Sequence, residues 1–223
     1  AAEQACRAVG LSLTVAPVSL TPGRNLQAEA RRQRYEVLAG IAGDDAWVAT
    51  GHTQTDQAET VLQRAIRGTG LRGLGAIRWR QGRVVRPLLG VTREQTRALA
   101  WSRAEDPSND TDRFGRNRLR RHVMPLLRDE NPRVEMALAE LADAAQDEMA
   151  LVDALMDALD FGSVDLSGVR PELVEVILRW RHRRERPDTP PPSRRAAGAL
   201  AERITAGQSG SASLGSGVRA TVD

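Results

Sequence analysis

The chain has 223 residues, of which 41% are hydrophobic and 27% charged, a composition typical of a globular protein with one large domain or two small ones. All 32 basic side chains are arginines, and the net charge of +3 mildly favours a polyanionic partner such as nucleic acid. The single cysteine, Cys6, excludes a disulfide framework and any cysteine-only zinc or iron–sulfur site within the chain.

The sequence indicates neither a membrane span nor a signal peptide. No stretch of 18 apolar residues occurs, and residues 1–20 lack the charged, apolar and small-residue order of a signal peptide. We therefore expect a reducing, cytoplasmic location and no membrane partner. The chain opens on AAEQACRAVG, which is typical of the end of a helix, so we expect that part of the domain precedes residue 1.

Predicted strands and helices alternate over the first 110 residues. The alternation in LSLTVAPVSL predicts a strand over residues 11–20, and Asn25 is expected to cap a helix that ends at Gly40. AWVATGH predicts a short, buried, central strand, and GRVVRPLL predicts another over residues 82–89. Strands that alternate with helices indicate an α/β fold with a parallel sheet covered on both faces.

Two helices of this region carry clear amino-terminal signals. TQTDQAETVLQRAIRG predicts a helix that Thr53 caps and that Gly68 and Gly70 end. Its apolar residues share one face, and they are Ala58, Val61, Leu62, Ala65 and Ile66. Thr92 and Gln95 form a capping box for the next helix.

Helices dominate the prediction from residue 111 onward. A basic helix is expected near residues 116–127, a long amphipathic helix from Asn131 and another helix from Pro171. ERPDTPPPSRR is too rich in proline for regular structure and predicts an exposed connection. The tail, GQSGSASLGSGVRATVD, predicts a turn and a strand.

The segment GHTQTDQAET brings three ionisable side chains to one place. His52 follows a predicted strand, and open α/β folds bind ligands at the carboxyl edge of their parallel sheet. Asp56, Glu59 and Gln63 are spaced by three and four residues, so they share one stripe of the following helix, opposite its apolar stripe. A histidine and two carboxylates are therefore expected to face one pocket.

Each of these three side chains also has a purely structural interpretation. Asp56 lies three residues after Thr53 and could serve only as the acid of a capping box. Glu59 could be a solvated helix residue, and His52 could bond a nearby loop. Together the three favour a site, but they do not identify its reaction.

Two arginine-rich segments are candidate phosphate-binding surfaces. Six arginines and no acidic residue occur between residues 113 and 128. Those that can share one helical face are Arg113, Arg116 and Arg120. In RAIRGTGLRGLG, the glycines alternate with Arg64, Arg67 and Arg72, which could form an anion site. A solvated basic helix and a glycine-rich helix end are equally consistent with the two segments.

Taken in order, five segments resemble the successive signature blocks of the tRNA(Ile)-lysidine synthase family. They are NLQAEARRQRY, GHTQTDQAETVLQRAIRGTGLRGLGAI, VVRPLLGVTRE, EDPSND and RNRLRRHVMPLL, within roughly residues 5–160. The combination is highly specific, although single blocks are not. SLGSGVRATV near the end resembles the start of a later substrate-binding region.

The resemblance implies a Rossmann-like nucleotide-binding domain of the pyrophosphate-loop type over residues 1–110 and mainly helical tRNA-binding elements over residues 111–223. It implies a cytoplasmic ligase that uses ATP and Mg²⁺ to adenylate the wobble cytidine of an isoleucine tRNA with a CAU anticodon, releasing pyrophosphate. Free L-lysine then attacks the activated carbon, AMP leaves and lysidine remains. The family also allows a homodimer.

The resemblance further implies roles for individual residues. Asp56 and Glu59 match the family's lysine-recognition acids, since paired carboxylates can hold an ammonium group and accept its proton. His52 matches a histidine close to the nucleotide, and Arg116 matches a catalytic arginine that meets phosphate or transition-state charge. The residues expected to contact tRNA are Arg64, Arg67, Arg116, Asn117 and Arg120. Arg86 and Arg93 lie in matching blocks, which implies tRNA or structural contacts for them, and no metal ligand is assigned.

The sequence departs from the family pattern at three places. The SGGxDS loop that grips the pyrophosphate of ATP does not occur in the chain, so we expect the chain as written not to hydrolyse ATP. Thr55 stands where the family's paired acidic motif has a carboxylate, which argues against a metal at that position. The helix after Thr92 reaches Glu105 early, which indicates a shortened segment.

Other functions are consistent with parts of the same pattern. One is a different pyrophosphate-loop enzyme, such as an amidotransferase synthetase or a tRNA thiolase, although thiolases that need several cysteines disagree with a lone Cys6. Another is a metal-dependent hydrolase with His52, Asp56 and Glu59 as ligands. A catalytically inactive RNA-binding module is the third.

Overall fold

The computed structural model describes residues 2–20, 26–99, 115–159, 166–208, 210–215 and 218–222. The chain divides into two units, Ala1–Asp147 and Glu148–Asp223, and the division lies within one long helix. The domain boundary expected near residue 110 lies outside the described residues, so the assignment of residues 1–110 and 111–223 to two domains stays a prediction.

The first unit combines helices with a small sheet. Its helices are α1 (Ala2–Ala8), α2 (Leu26–Ala42), α3 (Gln54–Ile66), α4 (Leu71–Leu74), α5 (Arg93–Leu99), α6 (Gly115–Arg118) and α7 (Met124–Glu130). A π-helical turn, Leu119–Val123, joins α6 to α7, and α8 (Val134–Ala158) begins in this unit. The strands are β1 (Val48–Ala49), β2 (Arg80–Gln81) and β3 (Val84–Val85).

The sheet of the first unit has the strand order β1-β3-β2. β1 and β3 are parallel, whereas β2 and β3 form an antiparallel hairpin whose turn contains Gly82 at a φ of +57°. The expected α/β fold is thus confirmed only in part. Among the described strands β1 lies at an edge, and Ala49 is exposed, so the expectation of a buried, central strand is not met in the part of the chain that the structure describes.

The strand predicted over residues 11–20 is absent. This segment forms neither helix nor strand, and its apolar side chains are exposed, from 39% for Val18 to 80% for Val15. Alternating residues give a strand one apolar face, but a strand also needs a neighbour for its backbone hydrogen bonds. Within the described ranges no strand lies beside residues 11–20, so the apolar pattern alone does not make them a strand.

The helix expected to end at Gly40 continues to Ala42. Gly40 is accommodated inside α2, and the chain leaves the helix at Gly43, which has a left-handed φ of +63°. The predicted cap, Asn25, lies outside the described residues. The pattern therefore identified this helix but selected the wrong glycine as its end.

The caps of α3 and α5 are confirmed. Thr53 accepts a hydrogen bond from the Asp56 backbone, and the Asp56 carboxylate accepts one from the Thr53 backbone at 2.8 Å. Thr92 and Gln95 form the same reciprocal pair, at 2.8 and 3.1 Å. Both helices start where the sequence predicts.

Amide side chains fasten the segment after α4 to α3 and α8. Gln57 of α3 is buried, donates to the Ile77 carbonyl at 3.0 Å and accepts from the Ile77 N–H at 2.8 Å. Gln146 of α8 donates to the Gly75 carbonyl at 2.7 Å, and a Cβ on Gly75 would lie 2.9 Å from Gln146 Cγ. The buried apolar residues around this junction are Ala58, Val61, Ile77, Leu119, Met124, Ala139, Ala142 and Ala145.

The predicted basic helix is interrupted. It consists of α6, the π-helical turn and α7, and Met124 at the start of α7 is fully buried. π-Helical turns are rare and are frequent at functional sites. This one contains Arg120, which contacts α3. The long helix predicted from Asn131 begins as α8 at Val134.

The second unit contains α9 (Pro171–Glu185), α10 (Arg194–Thr205) and the antiparallel strands β4 (Gly210–Gly215) and β5 (Val218–Val222). The helix predicted from Pro171 is confirmed, whereas α10 was not predicted. The proline-rich connection has no helix or strand over residues 186–193, but its first residue ends α9, its last two begin α10, and Pro192 in it is buried. The tail forms a hairpin of two strands rather than the predicted single strand. No described helix has both the length and the apolar character needed to cross a membrane.

Candidate active site

Polar side chains gather at the carboxyl end of the parallel strands β1 and β3. Thr50 and His52 follow β1, and Arg86 follows β3. The Thr50 hydroxyl and His52 Nδ1 lie 2.9 Å apart, which matches the interpretation of His52 as a residue that bonds a nearby loop. Arg86 is 2% exposed, donates to the Arg78 carbonyl at 2.6 Å, and its Nε has no acceptor among the described residues.

Two carboxylates of α3 form the centre of a cluster with three arginines. Asp56 lies in the first turn of α3, and Glu59 follows on the same stripe. Arg93 is the first residue of α5, Arg116 belongs to α6 and Arg120 to the π-helical turn. We name these five residues the ionic cluster. Three elements distant in sequence thus contact the stripe that the sequence predicts.

Each carboxylate oxygen of Asp56 accepts two hydrogen bonds. Oδ1 accepts from Arg93 Nη2 at 2.5 Å and from Arg116 Nη2 at 2.7 Å. Oδ2 accepts from the backbone N–H and the hydroxyl of Thr53, each at 2.8 Å. The capping interpretation of Asp56 is therefore correct, and the same carboxylate also belongs to the cluster.

Both oxygens of Glu59 are occupied in the same way. Oε1 accepts from Arg93 Nη1 at 3.0 Å and from Arg120 Nε at 2.6 Å. Oε2 accepts from Arg116 Nε at 2.8 Å and from Arg120 Nη2 at 2.9 Å. Glu59 is 0% exposed, so the alternative of a solvated helix residue is wrong. A buried carboxylate requires such partners to stay charged.

The arginines keep Glu59 ionised. Burial alone would raise the pKa of Glu59, but the hydrogen bond from Arg120 and the charges of Arg116 and Arg93 outweigh burial and lower this pKa to about 2. Three guanidinium groups face two carboxylates, which leaves the cluster with an excess positive charge. The cluster can therefore attract an anion. A ligand cation can also take the place of one guanidinium group on the carboxylates.

His52 is held in its neutral form. Burial lowers its pKa, the Asp56 charge opposes that effect, and the charges of Arg31, Arg86 and Arg116 reinforce it. A neutral imidazole can both donate and accept a hydrogen bond. His52 is thus suited to bond a polar ligand at the sheet edge rather than to act as a cation there.

Thr55 and Glu135 hold the start of α5 in place. The buried Thr55 hydroxyl donates to Glu135 Oε2 at 2.9 Å and accepts from the Arg93 backbone N–H at 3.1 Å. Glu135, in the first turn of α8, also accepts a hydrogen bond from Arg128. The sequence marked Thr55 only as a departure from a motif, and no local signal pointed to Glu135, which lies 80 residues away.

The glycine-rich segment lies apart from these contacts. Arg64 is half-buried and donates to the Gly73 carbonyl at 2.6 Å, while Arg67 is exposed at the end of α3. Gly68 has a φ of +76°, so a conformational reason for glycine exists there without any ligand. Neither arginine contacts the two carboxylates in the way that Arg116 and Arg120 do.

Two further predictions concern metal binding and Asn117. Among the described residues, no group of three or more His, Cys, Asp and Glu side chains could hold a metal ion. The hydrolase alternative is disfavoured because guanidinium groups already occupy the oxygens of Asp56 and Glu59. Asn117 is 8% exposed, which limits direct contact with a large partner. Arg113 lies outside the described residues.

Sequence comparisons identify relatives of this region. A family model described as the PP-loop domain matches residues 1–127. The chain is 38% identical over 161 residues to the tRNA(Ile)-lysidine synthase of Pseudomonas syringae pv. tomato, which covers 69% of the chain and 36% of that protein. The identity is 42% over 136 residues to the enzyme of that name from Synechococcus sp., covering 55% of the chain and 41% of the relative.

A third relative, the tRNA(Ile)-lysidine synthase of Thermus thermophilus, is 41% identical over 150 residues, covering 65% of the chain and 29% of that protein. The matched part of the chain corresponds to well under half the length of each of these relatives. The identities confirm the family resemblance that the five sequence segments indicate.

Proposed function

Because the chain belongs to the PP-loop domain family, we propose that this protein uses ATP to ligate free L-lysine to the wobble cytidine of an isoleucine tRNA with a CAU anticodon. One observation carries the proposal: two carboxylates form ion pairs with three arginines beside the carboxyl edge of a parallel strand pair. Such a pair can receive the ammonium group of lysine, and the arginines can receive phosphate.

A lysine ammonium group must displace a guanidinium group to reach the carboxylates. Arg116 has the most exposed side chain of the three arginines, at 36% against 23% for Arg93 and 29% for Arg120. It also bridges Asp56 Oδ1 and Glu59 Oε2. If Arg116 withdraws, one acceptor position opens on each carboxylate, and a single ammonium group can bridge the same two oxygens.

The displaced Arg116 side chain would then serve the phosphates. A guanidinium group forms paired hydrogen bonds with phosphate and stabilises negative charge that develops in a transition state. Arg93 and Arg120 would stay on the carboxylates. Their charges make Glu59 a weak base, because its pKa is lowered to about 2, so Glu59 is suited to hold the ammonium group rather than to take its proton.

The proposed reaction has two steps. In the first, ATP transfers its adenylate to the cytidine, and pyrophosphate leaves. In the second, the side-chain nitrogen of lysine attacks the activated carbon, a carbon–nitrogen bond forms, the bond to AMP breaks and the nitrogen loses a proton. Lysidine and AMP are the products, and no oxidation or reduction occurs.

His52 and Arg86 are the described residues best suited to face ATP. His52 is neutral and half-buried, and Arg86 has a buried Nε–H group without an acceptor in the described part of the chain. A nucleotide oxygen would satisfy that donor. The carboxylates of Asp56 and Glu59 are not suited to a magnesium ion in this arrangement, since arginines occupy them, so we expect Mg²⁺ to be held by the phosphates of ATP.

The remaining assignments concern tRNA and assembly. We propose that Arg67, which is exposed, approaches the tRNA together with Arg64 and the arginines of the ionic cluster. The buried Asn117 would then position its neighbour Arg116. The proposal also includes a nucleotide-binding domain over residues 1–110 and a tRNA-binding domain over residues 111–223. We further propose a cytoplasmic location and a homodimer.

The substitution Asp56→Asn separates the two steps. Asparagine can still accept the Thr53 backbone hydrogen bond, so the start of α3 is preserved, but the charge that receives lysine is lost. We expect the wild type and the Asp56→Asn variant of the protein encoded by the natural gene to release pyrophosphate equally when ATP and tRNA are supplied. Lysine incorporation should fall by about 100-fold or more in the variant.

The control is Arg78→Gln, which removes an exposed charge outside the cluster. It should leave both steps unchanged. Equal lysine incorporation by the wild type and Asp56→Asn would contradict the role of the carboxylates. Absence of pyrophosphate release and of lysine incorporation in the wild type, with tRNA still bound, would favour the inactive RNA-binding alternative.

A further inference from the structure

A cleft of about 820 Å³ opens beside the ionic cluster. Its walls come from the start of α3, from α5, from the π-helical turn, from α7 and from the start of α8. The charged residues that line it are Arg93, Arg97, Arg120, Arg128, Arg133, Glu94 and Glu135. We name it the basic cleft, because arginines outnumber glutamates in its lining.

The arginines of the basic cleft differ in whether an acid balances them. At its inner end, Arg93 and Arg120 are bound to Asp56 and Glu59. Arg128 is paired with Glu135. Arg97 and Arg133 are exposed, and neither has an acidic partner in the part of the chain that the structure describes. Glu94 in the same lining is exposed and has no arginine partner in the described part of the chain, so the free charges of the cleft are two positive and one negative.

The size and chemistry of the cleft suit a polyanionic strand. Its volume lies within the range of pockets that hold a ligand of nucleotide size, about 300–1,000 Å³. Guanidinium groups bind phosphate through paired, directional hydrogen bonds. An RNA strand carries one such group per nucleotide, whereas an acidic peptide presents carboxylates at side-chain spacing. Two arginines without an acidic partner in one cleft therefore offer two contacts for backbone phosphates.

We propose that the basic cleft binds the phosphate backbone of an RNA strand through Arg97 and Arg133. The proposal rests on the proposed function, in which the substrate is a tRNA, and assigns to two arginines outside the family's motif blocks the task of guiding the strand. A strand in the cleft leads inward to Arg93 and Arg120, and so to the carboxylates that are proposed to hold lysine. Phosphate contacts of this kind fix position rather than sequence.

The test compares two double variants of equal charge. Arg97→Gln with Arg133→Gln removes the unpaired charges of the cleft. Arg78→Gln with Arg83→Gln removes two exposed charges beside the β2–β3 hairpin, outside the cleft. Fluorescence anisotropy of the 223-residue chain with an RNA stem-loop carrying a CAU anticodon gives the affinity at several salt concentrations, and a thermal melt verifies that each variant is folded.

The cleft variant should bind the stem-loop on the order of tenfold more weakly, and the slope of log affinity against log salt should fall by about 1.4, or 0.7 for each lost contact to a single strand. The hairpin variant should match the wild type. The proposal would be overturned if all three proteins bound the stem-loop with equal affinity, or if both double variants lost affinity equally. It would also be overturned if the cleft variant lost as much affinity for a polyglutamate peptide as for the stem-loop.

A measurement of lysine incorporation distinguishes failure of the cleft proposal from failure of the proposed function. If the wild type binds RNA through the cleft but forms no lysidine, the proposed function fails and the cleft stands. If the cleft variant modifies tRNA as efficiently as the wild type at limiting tRNA, the cleft proposal fails and the function stands.

Discussion

The ionic cluster and the outer end of the basic cleft use the same residue type in opposite ways. In the cluster, Arg93, Arg116 and Arg120 are bound to two carboxylates, one of which is wholly buried. At the outer end of the cleft, Arg97 and Arg133 are exposed and lack an acidic partner within the described residues. The inner arginines are needed to keep a buried charge stable, whereas the outer two are available to a ligand.

This difference separates stability from binding. Removing a partner from a buried, hydrogen-bonded ion pair leaves an uncompensated charge and is costly, while an exposed charge contributes little to folding. Substitutions in the cluster should therefore change the stability of the fold as well as activity, whereas substitutions at the outer end should change only ligand affinity.

Glu59→Gln should be the most destabilising of these changes. It leaves three guanidinium groups with a single carboxylate, in a site where Glu59 has no exposed surface. We expect a loss of about 3–5 kcal/mol in the free energy of unfolding, measured by urea denaturation. A loss below 1 kcal/mol would show that the buried carboxylate does not hold the cluster together.

Stability should also depend on pH through Glu59. Its pKa is about 2 in the folded chain, against an ordinary value of 4.5. The stabilisation is therefore complete above pH 4.5 and is lost as the pH falls toward 2, with a total of about 3 kcal/mol. Denaturation curves between pH 2 and 6 should show this fall in the wild type and a shallower one in Glu59→Gln. Parallel curves would contradict the assignment.

Thr55→Val should have an intermediate effect. Valine has nearly the same shape but cannot bond Glu135 or the Arg93 N–H, both of which are served by the Thr55 hydroxyl. We expect a loss of about 1–3 kcal/mol, because two part-buried groups lose their hydrogen bonds to the Thr55 hydroxyl. Thr55→Ser keeps the hydroxyl and should recover most of that loss in the same denaturation experiment.

The double variant Arg97→Gln and Arg133→Gln should have the smallest effect on folding. Both side chains are exposed, so we expect a change within about 0.5 kcal/mol, together with the loss of RNA affinity described above. A destabilisation as large as that of Thr55→Val would mean that these arginines belong structurally with the inner ones.

The sequence was most informative where the signals are local. The Thr53–Asp56 cap, the stripe of Asp56 and Glu59 and the start of the helix at Pro171 follow from spacing within a few residues, and all three are present. The stripe was expected to face a pocket opposite the apolar side, but Glu59 is buried. Its burial depends on arginines from α5 and α6, 34 and 57 residues away.

The errors have the same physical origin. Residues 11–20 alternate as a strand does, but strand formation depends on a partner that local pattern does not specify. Glu135 could not be connected with Thr55 from the sequence, because nothing in the first turn of α8 distinguishes a buried partner from a solvated acid. Contacts between distant elements, rather than local propensity, decided both cases.

The most direct test of the account is the mass of the wobble nucleoside. A CAU-anticodon isoleucine tRNA transcript is incubated with ATP, L-lysine and the protein encoded by the natural gene, then digested and examined by mass spectrometry. The account predicts lysidine in place of cytidine with the wild type and unmodified or adenylated cytidine with Asp56→Asn. Unmodified cytidine after incubation with an intact, folded wild type, or lysidine formed equally by the variant, would contradict it.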